Sequence, residues 1–127
     1  FAFWRVSIST KTKSIIMRIS DKIYLEMKKF SKQSPEKEAC GLLYQDQDGE
    51  ISFEKCRNVH PEPQKYFEIS CKEYLNTSQK GDIKAAFHSH PETDGPSAAD
   101  ERMSKKLEVP FVIYSLKKNK FYHLKCN

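Results

Sequence analysis

The stretch that decides the fold is His88-Ser-His90-Pro-Glu-Thr-Asp-Gly-Pro-Ser97-Ala-Ala-Asp100. Two histidines stand two residues apart, and an aspartate follows ten residues after the second. Because side chains alternate across a strand, both imidazoles would point to one side of an extended segment. Zinc accepts two imidazoles and a carboxylate, and three protein ligands leave its fourth position open, as in catalytic sites. We therefore predict that His88, His90 and Asp100 bind Zn²⁺.

The residues around this motif predict a strand, a loop and a helix. Residues 85–87 end an apolar run that is typical of a buried strand. The prolines and the glycine of residues 91–96 prevent that strand from continuing. Ser97 is typical of a helix N-cap, and a first turn rich in carboxylate follows it. The loop would then fold Asp100, one turn into the helix, back towards the histidines.

Each of these residues also has an ordinary structural explanation. A His-x-His pair taken alone is more often a surface or core feature than a metal site, and Asp100 taken alone is a charge that favours a helix N-terminus. Cys40 lies near the predicted site, but no histidine adjoins it in the sequence to activate a thiol nucleophile, so a buried core thiol is favoured. Asp100, the proline-rich loop and an upstream Glu38-x-x-Gly41 segment together favour zinc over these explanations, and most of the weight comes from resemblance to a known family.

A further segment, Glu38-Ala-Cys-Gly41-Leu-Leu, lies upstream. Together with His88-Ser-His-Pro and Ser97-x-x-Asp100, it resembles the motif of the JAMM/MPN+ zinc metallopeptidases. The resemblance runs from about residue 18 to the C-terminus. It is strongest to the compact prokaryotic and phage branch, which includes the N-terminal domain of phage tail-tip assembly proteins.

The resemblance implies a reaction and a role for each residue. It implies hydrolysis of an amide bond with a zinc-bound water as the nucleophile and Glu38 as the general base that returns the proton to the leaving amine. Ser97 would donate a hydrogen bond to the developing oxyanion, although it is also a helix cap. The chain departs from the family in one respect, since six residues separate His90 from Ser97, one fewer than usual.

The pattern along the chain predicts an α/β fold. The resemblance implies a mixed, largely antiparallel, curved sheet flanked by helices, the JAB1/MPN sandwich related to the cytidine deaminases. The predicted elements are a helix from Ser20, strands over 39–45, 50–57 and 66–69, a helix over 70–79 opened by a Ser70–Glu73 capping box, a strand over 83–87, a helix from Ser97, and strands over 110–116 and 121–125.

The sequence predicts two parts of the chain. Residues 18–127 are predicted to form the JAMM/MPN+ domain. Residues 1–17 are predicted to be an N-terminal extension, in which the alternating residues 4–9 favour an edge strand.

Length and composition indicate the number of domains and the compartment to expect. A chain of 127 residues is long enough for one domain with its own core. Cysteines stand at positions 40, 56, 71 and 126 without a Cys-x-x-Cys pair, which favours free and mostly buried thiols in a reducing interior. We therefore expect a cytoplasmic protein, in the host cytoplasm if a phage encodes it. No apolar run reaches about 18 residues, so no transmembrane helix and no membrane association are predicted.

The charges are unevenly distributed. Residues 34–103, which hold the predicted site, carry 14 acidic and 8 basic groups, whereas the flanking segments are basic. A nucleic-acid-binding protein would be expected to have a basic working face. The acidic central segment instead suits a cation, and no nucleic-acid partner is predicted.

Three functions remain open on the sequence. The first is a zinc metallopeptidase or isopeptidase that hydrolyses an extended polypeptide tail, of a ubiquitin-like protein or a phage tail protein for example. The second is a catalytically weak or inactive scaffold module in phage tail assembly or another complex. The third is a zinc amidohydrolase for a small molecule, which a closed pocket would favour over an open groove.

Overall fold

The computed structural model describes residues 3–5 and 16–126. The elements within these ranges are β1 (Phe3–Arg5), β2 (Ile16–Arg18), α1 (Asp21–Gln33), β3 (Cys40–Gln45), β4 (Ile51–Cys56), α2 (Cys71–Ser78), β5 (Asp82–His90), α3 (Ala98–Leu107), β6 (Phe111–Ser115) and β7 (Lys120–Leu124).

Five of these strands form one sheet, in the order β4-β3-β5-β6-β7. Neighbouring strands are antiparallel except β5 and β6, which are parallel and are joined through α3. Strands β1 and β2 pair with each other in a separate two-stranded sheet. The predicted mixed, largely antiparallel sheet with flanking helices is confirmed, and β5 lies at its centre.

Both faces of the sheet are buried. Successive side chains of a strand point in opposite directions, so each central strand contributes residues to both faces. On one face Leu43 and Phe87 pack into a cluster with Met27 of α1. On the other face Leu42 and Ala86 pack with a second apolar cluster. Two buried faces explain why the central strands are continuous apolar runs rather than alternating ones.

Three serines cap the three helices, as the sequence predicts. Ser20, Ser70 and Ser97 each accept a hydrogen bond from the backbone N–H three residues later. The predicted capping box at α2 differs in one bond, because the Glu73 carboxylate accepts from the backbone N–H of Arg57 at 3.1 Å. Glu73 thereby joins the start of α2 to the chain just after β4.

The strand predicted over residues 66–69 is wrong. This segment has no regular strand, and a side chain rather than a neighbouring strand holds it. The backbone N–H of Glu68 donates to the Asn58 side-chain oxygen at 3.1 Å, and the N–H of Val59 donates to the carbonyl of Glu68 at 2.9 Å. Aromatic and β-branched residues raise strand propensity, but here the backbone bonds to Asn58 and Val59 rather than to a neighbouring strand.

The N-terminal predictions are only partly covered by the described residues. Strand β1 includes residues 4 and 5 of the predicted edge strand, and residues 6–9 lie outside the described ranges. Strand β2 spans the predicted boundary at residue 17, and Met17 packs in the core cluster against α1. The division at this boundary stays a prediction.

The four cysteines are free, as predicted, but only two are buried. Cys40 and Cys56 lie in the core, Cys71 is exposed and Cys126 is half-buried. Cys71 is the first residue of α2.

Replacing Gly41 with alanine is expected to destabilise the fold by about 1–3 kcal/mol, the usual cost of overpacking. A methyl group at this position would lie 2.5 Å from the backbone carbonyl oxygen of Glu54 and would also clash with the Phe53 ring. Chemical denaturation measures the change. Gly95→Ala is the matched control, because its methyl group would meet the Tyr122 ring at 3.4 Å, an ordinary contact. Equal stability of the two variants would contradict the expectation.

Candidate metal centre

Three separate segments bring the predicted site residues together at one end of the sheet. His88 and His90 form the end of β5. Glu38 lies two residues before β3, and β3 pairs with β5 so that Cys40 faces His88 across the ladder. Asp100 lies in the first turn of α3. Because β3 and β5 are neighbours, the side chain of Glu38 reaches the same end of the sheet as both imidazoles.

The Asp100 carboxylate contacts both histidines. Its Oδ1 lies 3.0 Å from His88 Nε2, and its Oδ2 lies 3.0 Å from His90 Nε2. The three side chains are buried, with exposed fractions of 0% for His88, 3% for His90 and 8% for Asp100. The six-residue loop between His90 and Ser97 is therefore long enough to bring Asp100 against both imidazoles.

A capping box holds the Asp100 side chain in place. The backbone N–H of Asp100 donates to Ser97 Oγ at 3.1 Å, and the backbone N–H of Ser97 donates to Asp100 Oδ2 at 2.9 Å. Both residues therefore have an ordinary structural role in the helix as well as a position at the site. Ser97 is a helix cap, and Asp100 is a favourable charge at a helix N-terminus.

Glu38 is the second carboxylate at this site. Only 6% of its surface is exposed. Ligand atoms of Glu38, His88 and His90 all lie within 4.8 Å of one another, close enough to bind a metal ion. The structure therefore offers two imidazoles and two carboxylates within one buried cluster. Which carboxylate binds the ion, and the role of each residue, stay predictions.

The two carboxylates differ in their electrostatics. Burial raises the pKa of Glu38 to about 9, and the neighbouring Asp100 carboxylate adds to this effect. Burial opposes ionisation of Asp100 as well, but hydrogen bonds from His88 and His90 hold its pKa below the usual range. Burial lowers the pKa of His88. These directions favour a neutral imidazole at His88 and an ionised carboxylate at Asp100, the forms in which both groups bind a metal ion.

The chemistry of this cluster fits zinc. Neutral imidazoles and carboxylates are zinc ligands, and the Asp100 carboxylate lies in contact with both imidazoles. The Nδ1 atoms of His88 and His90 are buried without a hydrogen-bond partner among the described residues. Since orphaned buried polar atoms cost about 1–3 kcal/mol, hydrogen bonding alone does not account for these imidazoles.

Ser89, between the two histidines, ties them to the segment that carries Glu38. Its hydroxyl accepts the backbone N–H of Ala39 at 2.8 Å, and its own N–H donates to the carbonyl of Ala39 at 2.9 Å. Ser89 is fully buried. Sequence reasoning treated it only as a spacer, and the signal it offers is a small polar residue inside an apolar strand.

The proline-rich loop is fixed by β6 and β7. The Ser115 hydroxyl donates to the carbonyl of Thr93 at 2.9 Å, and the Tyr122 hydroxyl donates to the Asp94 carboxylate. These contacts place the end of the loop, and with it Ser97, beside the end of β5.

Cys40 is a core thiol rather than a nucleophile. It is fully buried, and burial raises the pKa of its thiol. A reactive cysteine needs a lowered pKa and access to its substrate, and Cys40 has neither.

A profile of the family described as prokaryotic homologs of the JAB domain matches residues 20–125. This match covers most of the chain. The chain is a prokaryotic JAB-domain homologue. The resemblance to the JAMM/MPN+ family is thereby confirmed at the level of the family, and the matched range contains all five predicted site residues.

This JAB domain is also similar to the tail tip assembly protein K of Escherichia phage N15. The two sequences are 34% identical over 80 residues, which are 62% of this chain and 32% of that protein. The chain therefore corresponds to about a third of that relative's length. Within the described residues, no helix is both long enough and apolar enough to cross a membrane.

Proposed function

We propose that this JAB domain is a zinc-dependent peptidase or isopeptidase, with His88, His90 and Asp100 as zinc ligands and Glu38 as the general base. The observation that supports this most is the convergence of two imidazoles and two carboxylates in one buried cluster. A carboxylate that contacts both imidazoles suits the third ligand position. The second carboxylate is then left to move protons.

Within this proposal each side chain has a separate task. A bound zinc ion supplies Lewis acidity, which polarises an amide carbonyl and makes a water molecule more acidic. Burial favours the neutral form of Glu38, but the positive charge of a zinc ion held beside it would favour the ionised carboxylate. In that form Glu38 accepts the proton of the attacking water and delivers it to the leaving amine nitrogen. The Ser97 hydroxyl, whose oxygen accepts the Asp100 N–H, keeps its own hydrogen available to donate to the developing oxyanion.

The surroundings of the site support an extended polypeptide as substrate. A cavity of about 280 Å³ lies beside Glu38, with Phe30 and Arg57 in its lining. A second cavity of about 370 Å³ is lined by Pro91, next to His90, and by Pro35. Both open at the surface, and open cavities near the site favour an extended chain over an enclosed small molecule.

Within this proposal, the name of the phage relative favours one class of substrate. That relative is a tail tip assembly protein. We infer that this domain acts in the host cytoplasm. Its favoured substrate is a phage tail protein, and a ubiquitin-like tail is the other candidate. Residues 18–127 form the catalytic domain in this proposal.

The same relative favours a second candidate function. A protein named for tail tip assembly is expected to contact other tail proteins, and a domain that holds its partner without cleaving it would do so as well. In that case the buried cluster binds metal as a structural element or does not bind it at all.

Zinc content and hydrolysis, measured on the same purified protein, separate the two functions. We expect about one zinc ion per chain by plasma mass spectrometry, and cleavage of members of a peptide and isopeptide panel that contains tail-protein sequences. Zinc without cleavage across the panel would favour the scaffold. A protein that takes up no zinc after the metal is added back would overturn the hydrolase proposal.

A further inference from the structure

One side-chain amide connects the entry to β3 with the loop that follows β4. Asn58 Nδ2 donates to the carbonyl of Glu38 at 2.9 Å and to the carbonyl of Tyr66 at 2.9 Å. Asn58 Oδ1 accepts the backbone N–H of His60 at 3.0 Å and that of Glu68 at 3.1 Å. Asn58 Nδ2 also lies 3.5 Å from the carbonyl of Pro63. All five bonds come from a single side chain, and together they span residues 38–68.

The backbone of Glu38 is held on both of its polar groups. Its carbonyl accepts from Asn58, and its N–H donates to the carbonyl of Pro63 at 2.7 Å. Pro63 belongs to the same loop that Asn58 holds. The position of the Glu38 side chain, and hence of the proposed base, depends on this loop as well as on β3.

The same loop carries an aromatic ring onto a predicted zinc ligand. The Phe67 ring stacks on the His88 imidazole with a centroid distance of 4.2 Å and an interplanar angle of 15°. The Phe111 ring contacts the same imidazole edge-on, with a centroid distance of 5.3 Å. Because His88 Nδ1 has no hydrogen-bond partner among the described residues, the ring contacts orient the imidazole together with the contact between its Nε2 and Asp100.

We propose that Asn58, the loop 59–68 and Phe67 form a positioning clamp that sets Glu38 and His88 relative to each other. Asn58 and Phe67 are positioning residues, since the clamp acts through Glu38 and His88 rather than on the substrate. Its catalytic meaning rests on the proposed function, but its effect on the metal site does not need a substrate. Partners that orient metal ligands commonly contribute about 10- to 100-fold to metal affinity.

Two variants test the clamp. Asn58→Asp keeps the size of the side chain and its acceptor, but it replaces the donor to Glu38 and Tyr66 with a carboxylate oxygen. Phe67→Ala removes the stacked ring, and Phe67→Tyr restores a ring of the same shape. Asp46→Asn is the control, because Asp46 accepts bonds from Asp48, Glu50 and Ser52 at the β3–β4 hairpin, in an otherwise similar loop.

Zinc affinity, measured by competition with a chromogenic chelator, is the first readout. We expect affinity to fall about tenfold or more in Asn58→Asp and Phe67→Ala, to recover in Phe67→Tyr and to stay unchanged in Asp46→Asn. Amide hydrogen exchange is the second readout. The Glu38 N–H should exchange about tenfold faster in Asn58→Asp, while the N–H groups of β5 stay protected.

Unchanged zinc affinity and unchanged Glu38 exchange in Asn58→Asp would overturn the clamp. A Phe67→Ala variant with altered KM and normal zinc affinity would make Phe67 a substrate contact instead. Wild-type protein that binds zinc but cleaves nothing contradicts the proposed function alone, because both readouts are taken without substrate.

Discussion

Replacing His88 with alanine is expected to reduce the zinc content from about one ion per chain to nearly none. His88 is fully buried, and its Nε2 lies 3.0 Å from the Asp100 carboxylate. Without this imidazole, His90 and Asp100 would be the only two of the three proposed ligands left, and zinc sites in proteins usually have at least three. Plasma mass spectrometry on dialysed protein measures the change, and hydrolysis should be lost with the metal.

The control for this prediction is His123→Ala. His123 is a strand histidine on β7 whose ring lies near Tyr24 on the other face of the sheet, so its loss removes an imidazole without touching the cluster. Circular dichroism of His88→Ala checks that the fold survives the cavity left under Phe67. Zinc retained in a folded His88→Ala protein would show that the ion is held elsewhere.

Replacing Glu38 with glutamine is expected to lower kcat by about 10²- to 10⁴-fold and to leave the zinc content unchanged. Glutamine has nearly the same shape but accepts no proton at neutral pH. The backbone bonds of Glu38 to Asn58 and Pro63 do not involve the side chain and should persist. The change therefore removes proton transfer while it keeps the site assembled.

Glu36→Gln is the matched control, since Glu36 is an exposed carboxylate two residues earlier in the chain. It should retain wild-type kcat and zinc. Two results would contradict the assignment of Glu38 as the base. Loss of zinc in Glu38→Gln would make Glu38 a ligand, which its distance from both histidines permits. Undiminished turnover would place the base on another residue.

Much of the fold was predictable because its signals are local. Serine caps at Ser20, Ser70 and Ser97 start helices through bonds to residues three positions away. The prolines that follow His90 end β5, and apolar runs mark strands that are buried on both faces. The strand prediction over 66–69 is wrong although its residues are suitable, because the backbone of this segment bonds to Asn58 and Val59 instead of to a strand.

The residues that sequence reasoning missed all act over long separations. Ser89 bonds to Ala39, 50 positions away, and Asn58 bonds to Glu38, 20 positions away. Neither has a spacing pattern, because a hydrogen bond between distant segments leaves no periodicity in the sequence. Phe67 lies in the segment predicted as a strand, and its stacking on His88 follows from a loop path that local propensities do not specify.

Local signals in the sequence predict the family, the helix starts, the central strand and four polar residues that lie together at the end of β5. Those properties follow from side-chain chemistry and from alternation along a few neighbouring residues. Only the tertiary structure decided how the cluster is assembled, with Asp100 between both imidazoles and Glu38 held by the loop 59–68. The reason is that β3, β5 and α3 come together through packing of the whole sheet, and residues far apart in the chain have no local interaction that fixes their distance.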